Sequence, residues 1–531
     1  MKINKILYTG SLALALSFSL TSCDSYLDEN PDNRANVDSE DKIVSLLTSA
    51  YGQSGYAVLN EVLSDNTDDM GARYIQNDDL FTNEAFYWKD ITEGSNDGII
   101  NIWSSCYGAI AAANHALQAI EELGGAKTLK LKECKAEALM SRAYYHFVLA
   151  NEFCMPYDPA TAATSLGIPY ATEPETTLNP SYTRGTVAEV YEKIEKDIND
   201  ALPLLGDTHY TQPKYHFNKQ ASLAFAARFF LFYQKWDLAV KYANECLGSN
   251  PKSLLRDWDE MQSYGITNDL TPRANLYIKA SNKCNFFVQP TISMAGAFFS
   301  NFSYITKYAH DSYISKNETL EAANIWGESG KGTLRCPGLA FKGGAFDRVV
   351  VAKSAFLFEE TDPISQTGYY HSVSVPFRAD ILLLERAEAY IMLKKYDLAC
   401  KDLTMWMHNW TKSTMTLTPE AIQTFYNSMK YYTSTAPTLK KHLYPSWTID
   451  AEGSVQECML QCVLNFKRIE TIHEGLRWLD VNRYRMNITR RVMNQDSECD
   501  HVADSLGTND LRRAVQLPFS ILSAGLEKNP R

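Results

Sequence analysis

The sequence has no CxxC pair, no GxSxG elbow, no HExxH box and no Pro/Gly/Ser-rich linker or charge block that would cut its 531 residues into separate units. Each absence removes a class of function. Ten cysteines follow Cys23, but their spacings give neither a zinc site nor a disulfide pairing, and Cys134, Cys246 and Cys400 sit in helical apolar patterns as small hydrophobes. His473-Glu474 lacks the second histidine of a zinc protease. The stretch 327–333 looks like a phosphate loop, yet Ile325 stands where the first glycine is required. Asp65-Asn66-Thr67-Asp68-Asp69 has carboxylates at calcium-loop spacing, but Met70 takes the turn position and Gly71 comes one residue late. Calcium is therefore unsupported, and no cofactor is expected. Among 63 acidic side chains nothing singles out a glycosidase pair. Basic charge is also short: 51 Lys and Arg leave a net charge of -12, which disfavours nucleic acid as a partner.

The one long apolar run, residues 6–20, follows Lys2 and Lys5 and is too short to span a membrane. It ends at Leu20-Thr21-Ser22-Cys23, and a cysteine directly after Leu-Thr-Ser favours a lipobox over an ordinary secretory signal. The mature chain is expected to begin at a lipidated Cys23, since two or more acyl chains anchor a protein stably. Residues 1–22 read as the signal peptide and 23–37 as an acidic, turn-rich tether. Residues 38–531 read as a single body.

Within that body helices dominate. A first one is expected at about 39–51, and 60–101 reads as a long structured loop region. Trp103, Tyr107, Ile110, Asn114 and Leu117 then recur on one helical face, with Asn114 expected to satisfy a neighbouring loop backbone. A partner helix follows at about 131–153 and another at 186–205. Residues 227–247 and 387–407 share Ala227/Ala387, Lys235/Lys395, Asp237/Asp397, Leu238/Leu398, Ala239/Ala399 and Lys241/Lys401. Small residues, a Lys-(Trp/Tyr)-Asp turn and a Leu-Ala start resemble a tetratricopeptide hairpin. The fold class expected is mainly α, with TPR-like hairpins at about 101–248 and 378–410 as scaffold. A loop-rich, aromatic insertion covers about 249–375, and a helical C-terminal region covers about 455–531.

These blocks resemble the SusD/RagB outer-membrane lipoproteins of Bacteroidetes from Cys23 to the C-terminus. The likeness is carried by Trp103-x3-Tyr107-x2-Ile110-x3-Asn114 and by Ala136-Glu137-x4-Arg142-Ala143-Tyr144-Tyr145-x-Phe147. Val187-x3-Tyr191-x2-Ile194-x2-Asp197-x3-Ala201 follows, and Arg468-x-Glu470-x3-Glu474-Gly475-x-Arg477-Trp478-x-Asp480-x2-Arg483-Tyr484 closes the series. Thr471 and His473 depart from the apolar residues usual there. The resemblance implies a non-enzymatic receptor, lipid-anchored at the outer membrane and facing outward. It would hand an oligosaccharide or polysaccharide to a SusC-like TonB-dependent transporter. A RagB-like peptide receptor is the alternative, and a surface glycoside hydrolase a more remote one.

In such proteins the ligand meets the early loop region and the insertion. The chain has 31 tyrosines and 9 tryptophans, more rings than a core of this size needs, and aromatic faces stack on sugar rings. The candidates are Asp65, Asn66, Arg73, Tyr74, Tyr87 and Trp88 in the first segment and Trp258, Tyr304 and Trp326 in the second, with Trp88 and Trp326 foremost. Packing is the commoner role for any one of them. Glu470, Glu474 and Arg477, three and four apart, are expected to pair along one helix face.

Overall fold

The computed structural model describes residues 37–531 apart from 75–78, 93, 177–180, 266–269, 302–303, 328–332 and 344–345. Cys23, the signal peptide and most of the tether lie outside the described residues.

The chain opens with α1 (Glu40–Leu47), α2 (Ala57–Leu63), β1 (Asp68–Asp69) and α3 (Leu80–Phe86). The scaffold follows: α4 (Ile99–Glu122), α5 (Leu129–Phe153), α6 (Val187–Ala201), α7 (Lys219–Phe232) and α8 (Trp236–Leu247). The insertion holds α9 (Trp258–Ser263), α10 (Thr271–Ile278), β2 (Asn285–Thr291), α11 (Ala295–Ser300), β3 (Tyr308–Ala309) and α12 (Ser312–Glu318). It continues through β4 (Leu339–Gly343), β5 (Phe346–Val350), β6 (Leu357–Asp362) and β7 (Thr367–Arg378). Helices resume with α13 (Ala379–Met392), α14 (Tyr396–Trp410), α15 (Pro419–Asn427), α16 (Val455–Glu470) and α17 (Leu476–Arg483). The chain closes with β8 (Ile488–Met493), β9 (Cys499–Leu506) and α18 (Phe519–Ser523).

The fold is mainly helical, as the periodicity implied. Helix α5 is its axis: α4 and α6 pack on it, and nearly every residue from Glu133 to Phe153 is buried. Arg142 fastens this layer, since its guanidinium donates to both Asp197 oxygens (2.8 and 2.6 Å) and to Asn114 Oδ1 (3.0 Å). Asn114 in turn donates to the carbonyls of Ala171 and Glu173, the loop backbone it was expected to satisfy. A second layer runs α7, α8, α13, α14, with α16 against α13. Its two hairpins turn alike. Gln234 and Lys394 take left-handed backbone (φ 62° and 56°), after which the Lys235 and Lys395 amides donate to Phe230 and Tyr390 carbonyls, each at 2.8 Å.

Three expectations about segments change. The 60–101 region contains α3, most of α2 and the start of α4; seven-residue helices span two turns and leave too little periodicity to read. The insertion holds four short helices and six strands, with β2-β7-β6 forming a three-stranded antiparallel sheet and β4-β5 a hairpin. The C-terminal region is helical to Arg483, then forms the β8–β9 hairpin, after which the short α18 follows. That hairpin belongs to a four-stranded sheet ordered β3-β1-β8-β9, in which β1 lies between β3 and β8. This sheet joins the early segment, the insertion and the C-terminal region, and so decides which distant residues share a site.

Candidate functional site

The four-stranded sheet borders both a buried seam and an exposed cleft. The seam, made of buried charge, binds the early segment to the C-terminal motif. Asp65 accepts from Arg477 Nε (2.7 Å) and Lys441 Nζ (2.6 Å), while its carbonyl accepts from Arg468 (2.5 Å). Burial alone would raise the Asp65 carboxyl, but Arg468, Arg477 and Lys441 bring it well below the carboxylate range. Asn66 bridges Arg468 Nε (2.9 Å) and Glu61 Oε2 (3.0 Å). Arg73 is buried against Ser497 Oγ (2.7 Å) and Asp347 (3.7 Å). Trp88 is 2% exposed: its Nε1 donates to the Leu63 carbonyl (3.0 Å), and Arg490 lies 3.8 Å over its ring.

Two insertion candidates are also packed. Trp258 is 1% exposed and meets Trp410 edge-on at 4.0 Å. Trp326 lies half-buried against Phe466 (5.4 Å) and Trp406 (6.4 Å). These side chains, Asp65, Asn66, Arg73, Trp88 and Trp258 above all, are engaged within the fold.

The expected helix-face pairing of Glu470, Glu474 and Arg477 does not form. Helix α16 ends at Glu470, His473 and Gly475 take left-handed backbone, and α17 starts in a new direction. Arg378 therefore takes both glutamates (3.2 and 2.7 Å), leaving Arg477 to Asp65. Asp65, Asp68 and Asp69 likewise fail to converge on one centre. Asp68 faces Arg491 (2.9 Å), and Asp69 accepts from the Gly71 amide (2.8 Å). Among the described residues no group of three or more His, Cys, Asp and Glu is arranged to hold a metal.

The cleft is different. Pairing of β1 with β3 lays the chain before Tyr308 beside the chain after Asp69, and Tyr74 and Tyr304 come to line one shallow cleft. Asp79 and Thr82 complete the early wall; Phe298, Thr306, Lys307 and Tyr308 complete the other. Tyr304 is 37% exposed, and its ring meets Phe298 at 5.2 Å and 56°. Its hydroxyl pKa is raised by partial burial and by the charge of Asp79. Tyr308 forms the floor, stacked on Phe86 at 4.2 Å with its hydroxyl accepting from Asn83 Nδ2 (2.8 Å). Tyr87 reaches this wall through Asp69, to which its hydroxyl donates (3.3 Å) and beside which Lys307 lies (3.9 Å). Burial, then Asp69, pushes the Tyr87 hydroxyl up to about 12.

Of the nine described candidates, then, Tyr74 and Tyr304 share a cleft and Tyr87 stands behind it. Phe298, Asp79, Thr82 and Lys307 were missed. Phe298 was visible as one of the insertion's many rings, but nothing in its sequence context marked it from its neighbours. Half-exposed rings beside a carboxylate, an ammonium and two threonine hydroxyls suit a ligand with apolar ring faces and a hydroxylated rim.

Two larger cavities offer less. A groove between α14 and the chain at Asp257–Asp259 is lined by charges and hydroxyls, but its one tryptophan, Trp258, is buried. A second pocket is walled in part by Lys353, Glu474 and Tyr277, which bond one another.

Comparison with known proteins gives three results. Residues 25–231 match a SusD-like family model described as starch-binding, associating with the outer membrane. No curated protein matches the chain. Solved structures share its fold. A SusD superfamily protein from Bacteroides thetaiotaomicron superposes with a TM-score of 0.63 at 20% identity, over 93% of this chain and 100% of that one. A protein described as a putative sugar binding protein from Bacteroides vulgatus gives 0.62 at 18%, over 93% and 99%. A SusD-like carbohydrate binding protein from the same species gives 0.60 at 16%, over 91% and 96%. Among the described residues no helix is long and apolar enough to cross a membrane.

Proposed function

We propose that this chain is a member of the SusD/RagB family, whose sequence model matches residues 25–231 and whose fold it shares over nine-tenths of its length, and that it is a carbohydrate receptor. In this reading the protein is fastened to the outer membrane through Cys23, faces outward, and passes an oligosaccharide or polysaccharide to a SusC-like TonB-dependent transporter. The observation that carries it is the meeting of Tyr74 and Asp79 with Phe298 and Tyr304, from segments more than two hundred residues apart. Ring faces supply stacking, and Asp79, Thr82, Thr306 and Lys307 supply hydrogen bonds to hydroxyls. The proposed ligand is uncharged, because a chain of net charge -12 repels polyanionic glycans.

Binding without turnover fits the same cleft. Glycoside hydrolysis uses two carboxyl groups across the scissile bond, and Asp79 is the single carboxylate among the described cleft residues. The lipid anchor rests on Leu20-Thr21-Ser22-Cys23, and the transporter follows because a lipid-anchored receptor cannot itself carry cargo through a membrane.

The test is affinity of the detergent-solubilised protein for starch, other neutral polysaccharides, acidic polysaccharides and peptides. Binding confined to neutral glycans, lost in Tyr304→Ala and without release of shortened products, is the expected result. Preference for peptides or cleavage of the glycan overturns the reading.

A further inference from the structure

Arg348, on β5, is 4% exposed, and among the described residues no carboxylate forms an ion pair with it. Burial pushes its guanidinium down to about 10. A cation in that position costs the fold free energy unless its donors are well used. Two of them are spent on main-chain carbonyls: Nη2 donates to Phe298 (2.5 Å) and Nη1 to Tyr304. Those are the two residues whose rings form the insertion wall of the cleft.

The Phe298 carbonyl belongs to the last turn of α11, where carbonyls have no partner within the helix and a cation is favoured. The Tyr304 amide donates back to the Asn301 carbonyl (3.2 Å), just past the helix. One planar guanidinium therefore ties the end of the helix to the backbone of Tyr304, and the spacing of the two backbones sets the spacing of the two rings. Lysine cannot repeat this geometry, since it offers a point charge instead of a fork. Next to it, Phe299 points the other way and stacks on His473 at 4.9 Å and 10°, which fixes the opposite face of α11.

We propose that Arg348 is a positioning residue of the cleft: it holds Phe298 and Tyr304 in the paired geometry a sugar ring meets, without touching the ligand. This rests on the cleft being the binding site. It separates Arg348 from Arg468, Arg477 and Arg491, each of which pairs with a carboxylate, and sets it beside Arg490, which likewise donates to main-chain carbonyls.

The test uses the full chain in mild detergent, with soluble starch and the neutral polysaccharides above as probes and 3-fluorotyrosine at position 304 as a ligand-free reporter. In Arg348→Met the fluorine line is expected to shift or broaden, and affinity to fall about tenfold, on the scale of one or two lost charge-assisted hydrogen bonds. Arg348→Lys, which keeps one donor position, falls between the two, by about threefold. Because the effect runs through Tyr304, Arg348→Met is expected to change affinity less than about twofold in a Tyr304→Ala background, as a coupled pair behaves. An unchanged fluorine line in both Arg348 variants overturns the proposal whatever the affinities. A changed line with additive affinity losses also overturns it, since general loosening would then be the cause. Should the wild-type protein bind none of the probes while the line changes, it is the binding reading that fails, and the positioning role for a ligand falls with it.

Discussion

Trp88 and Tyr304 look alike in sequence, large rings among polar neighbours on irregular segments, yet the fold treats them oppositely. Trp88 is sealed beneath Arg490, whose guanidinium also donates to the carbonyls of Val62, Leu63 and Ser64 (2.7 to 2.9 Å). Tyr304 has over a third of its surface exposed. The difference comes from partners four hundred residues away in one case and from a nearby cleft in the other. What separates the two rings is burial: Arg490 closes over the face of Trp88, whereas the ring of Tyr304 stays partly open to solvent.

The sharpest way to break this comparison is to remove the charge that seals the seam. Asp65→Ala leaves Arg477 buried without its carboxylate and Lys441 with Glu318 alone, and breaking a buried pair in this way costs about 3–5 kcal/mol. Denaturant unfolding should show the loss, and a normal midpoint would mean the seam contributes nothing net. Trp88→Ala comes next. Emptying a buried tryptophan site costs about 3 kcal/mol or somewhat more, and the protein that remains folded should bind its glycan as before. Lost affinity at full stability would move Trp88 from the seam to the site.

Tyr304→Ala is the mirror experiment. Its ring is only partly buried, so the melting temperature should hardly move, whereas affinity should drop by about 1–2 kcal/mol, roughly five- to thirty-fold, as one stacking contact is lost. Titration calorimetry beside a thermal melt gives both numbers. Equal loss of stability and affinity would erase the distinction between the two regions.

How much of this was legible in the sequence follows the same division. Helices α4 and α5 run for 24 and 25 residues, long enough for Trp103, Ile110 and Asn114 or Met140 and Phe147 to declare a face. The α7–α8 and α13–α14 hairpins declared themselves by repeating a turn. Helices α2 and α3 were too short to read. The seam was invisible because Asp65, Glu318, Lys441 and Arg477 become neighbours only through the tertiary fold, and charge at i, i+3 and i+4 suggested a local pairing that a left-handed break after Glu470 prevents. For the cleft, the two segments could be named from a resemblance, but which of their rings face outward is a matter of packing. Tyr74 and Tyr304 were within the candidates, and Phe298 was not.

A last contrast divides two buried carboxyls. Asp65 is held charged by its cations, whereas Glu152, buried beside Asn60 with one oxygen unpartnered, is raised by burial to about 8 despite that hydrogen bond. In the unfolded chain Glu152 releases its proton near 4.5, so between those values the native state binds more protons than the unfolded one. Stability from this group is therefore whole below about pH 4.5, falls as pH rises, and is lost above about pH 8. Asp65 has the opposite sign: its contribution is present at neutral pH and is lost as acid titrates its lowered carboxyl. The wild-type melting temperature should accordingly decline from about pH 5 to about pH 8.5, and Glu152→Gln should decline less. The slope will not vanish, because burial also raises Glu61 and Glu470 to about 7. Parallel curves for the two proteins would place a charged Glu152 in the native core and remove the contrast between carboxyls kept for their charge and carboxyls that must shed it.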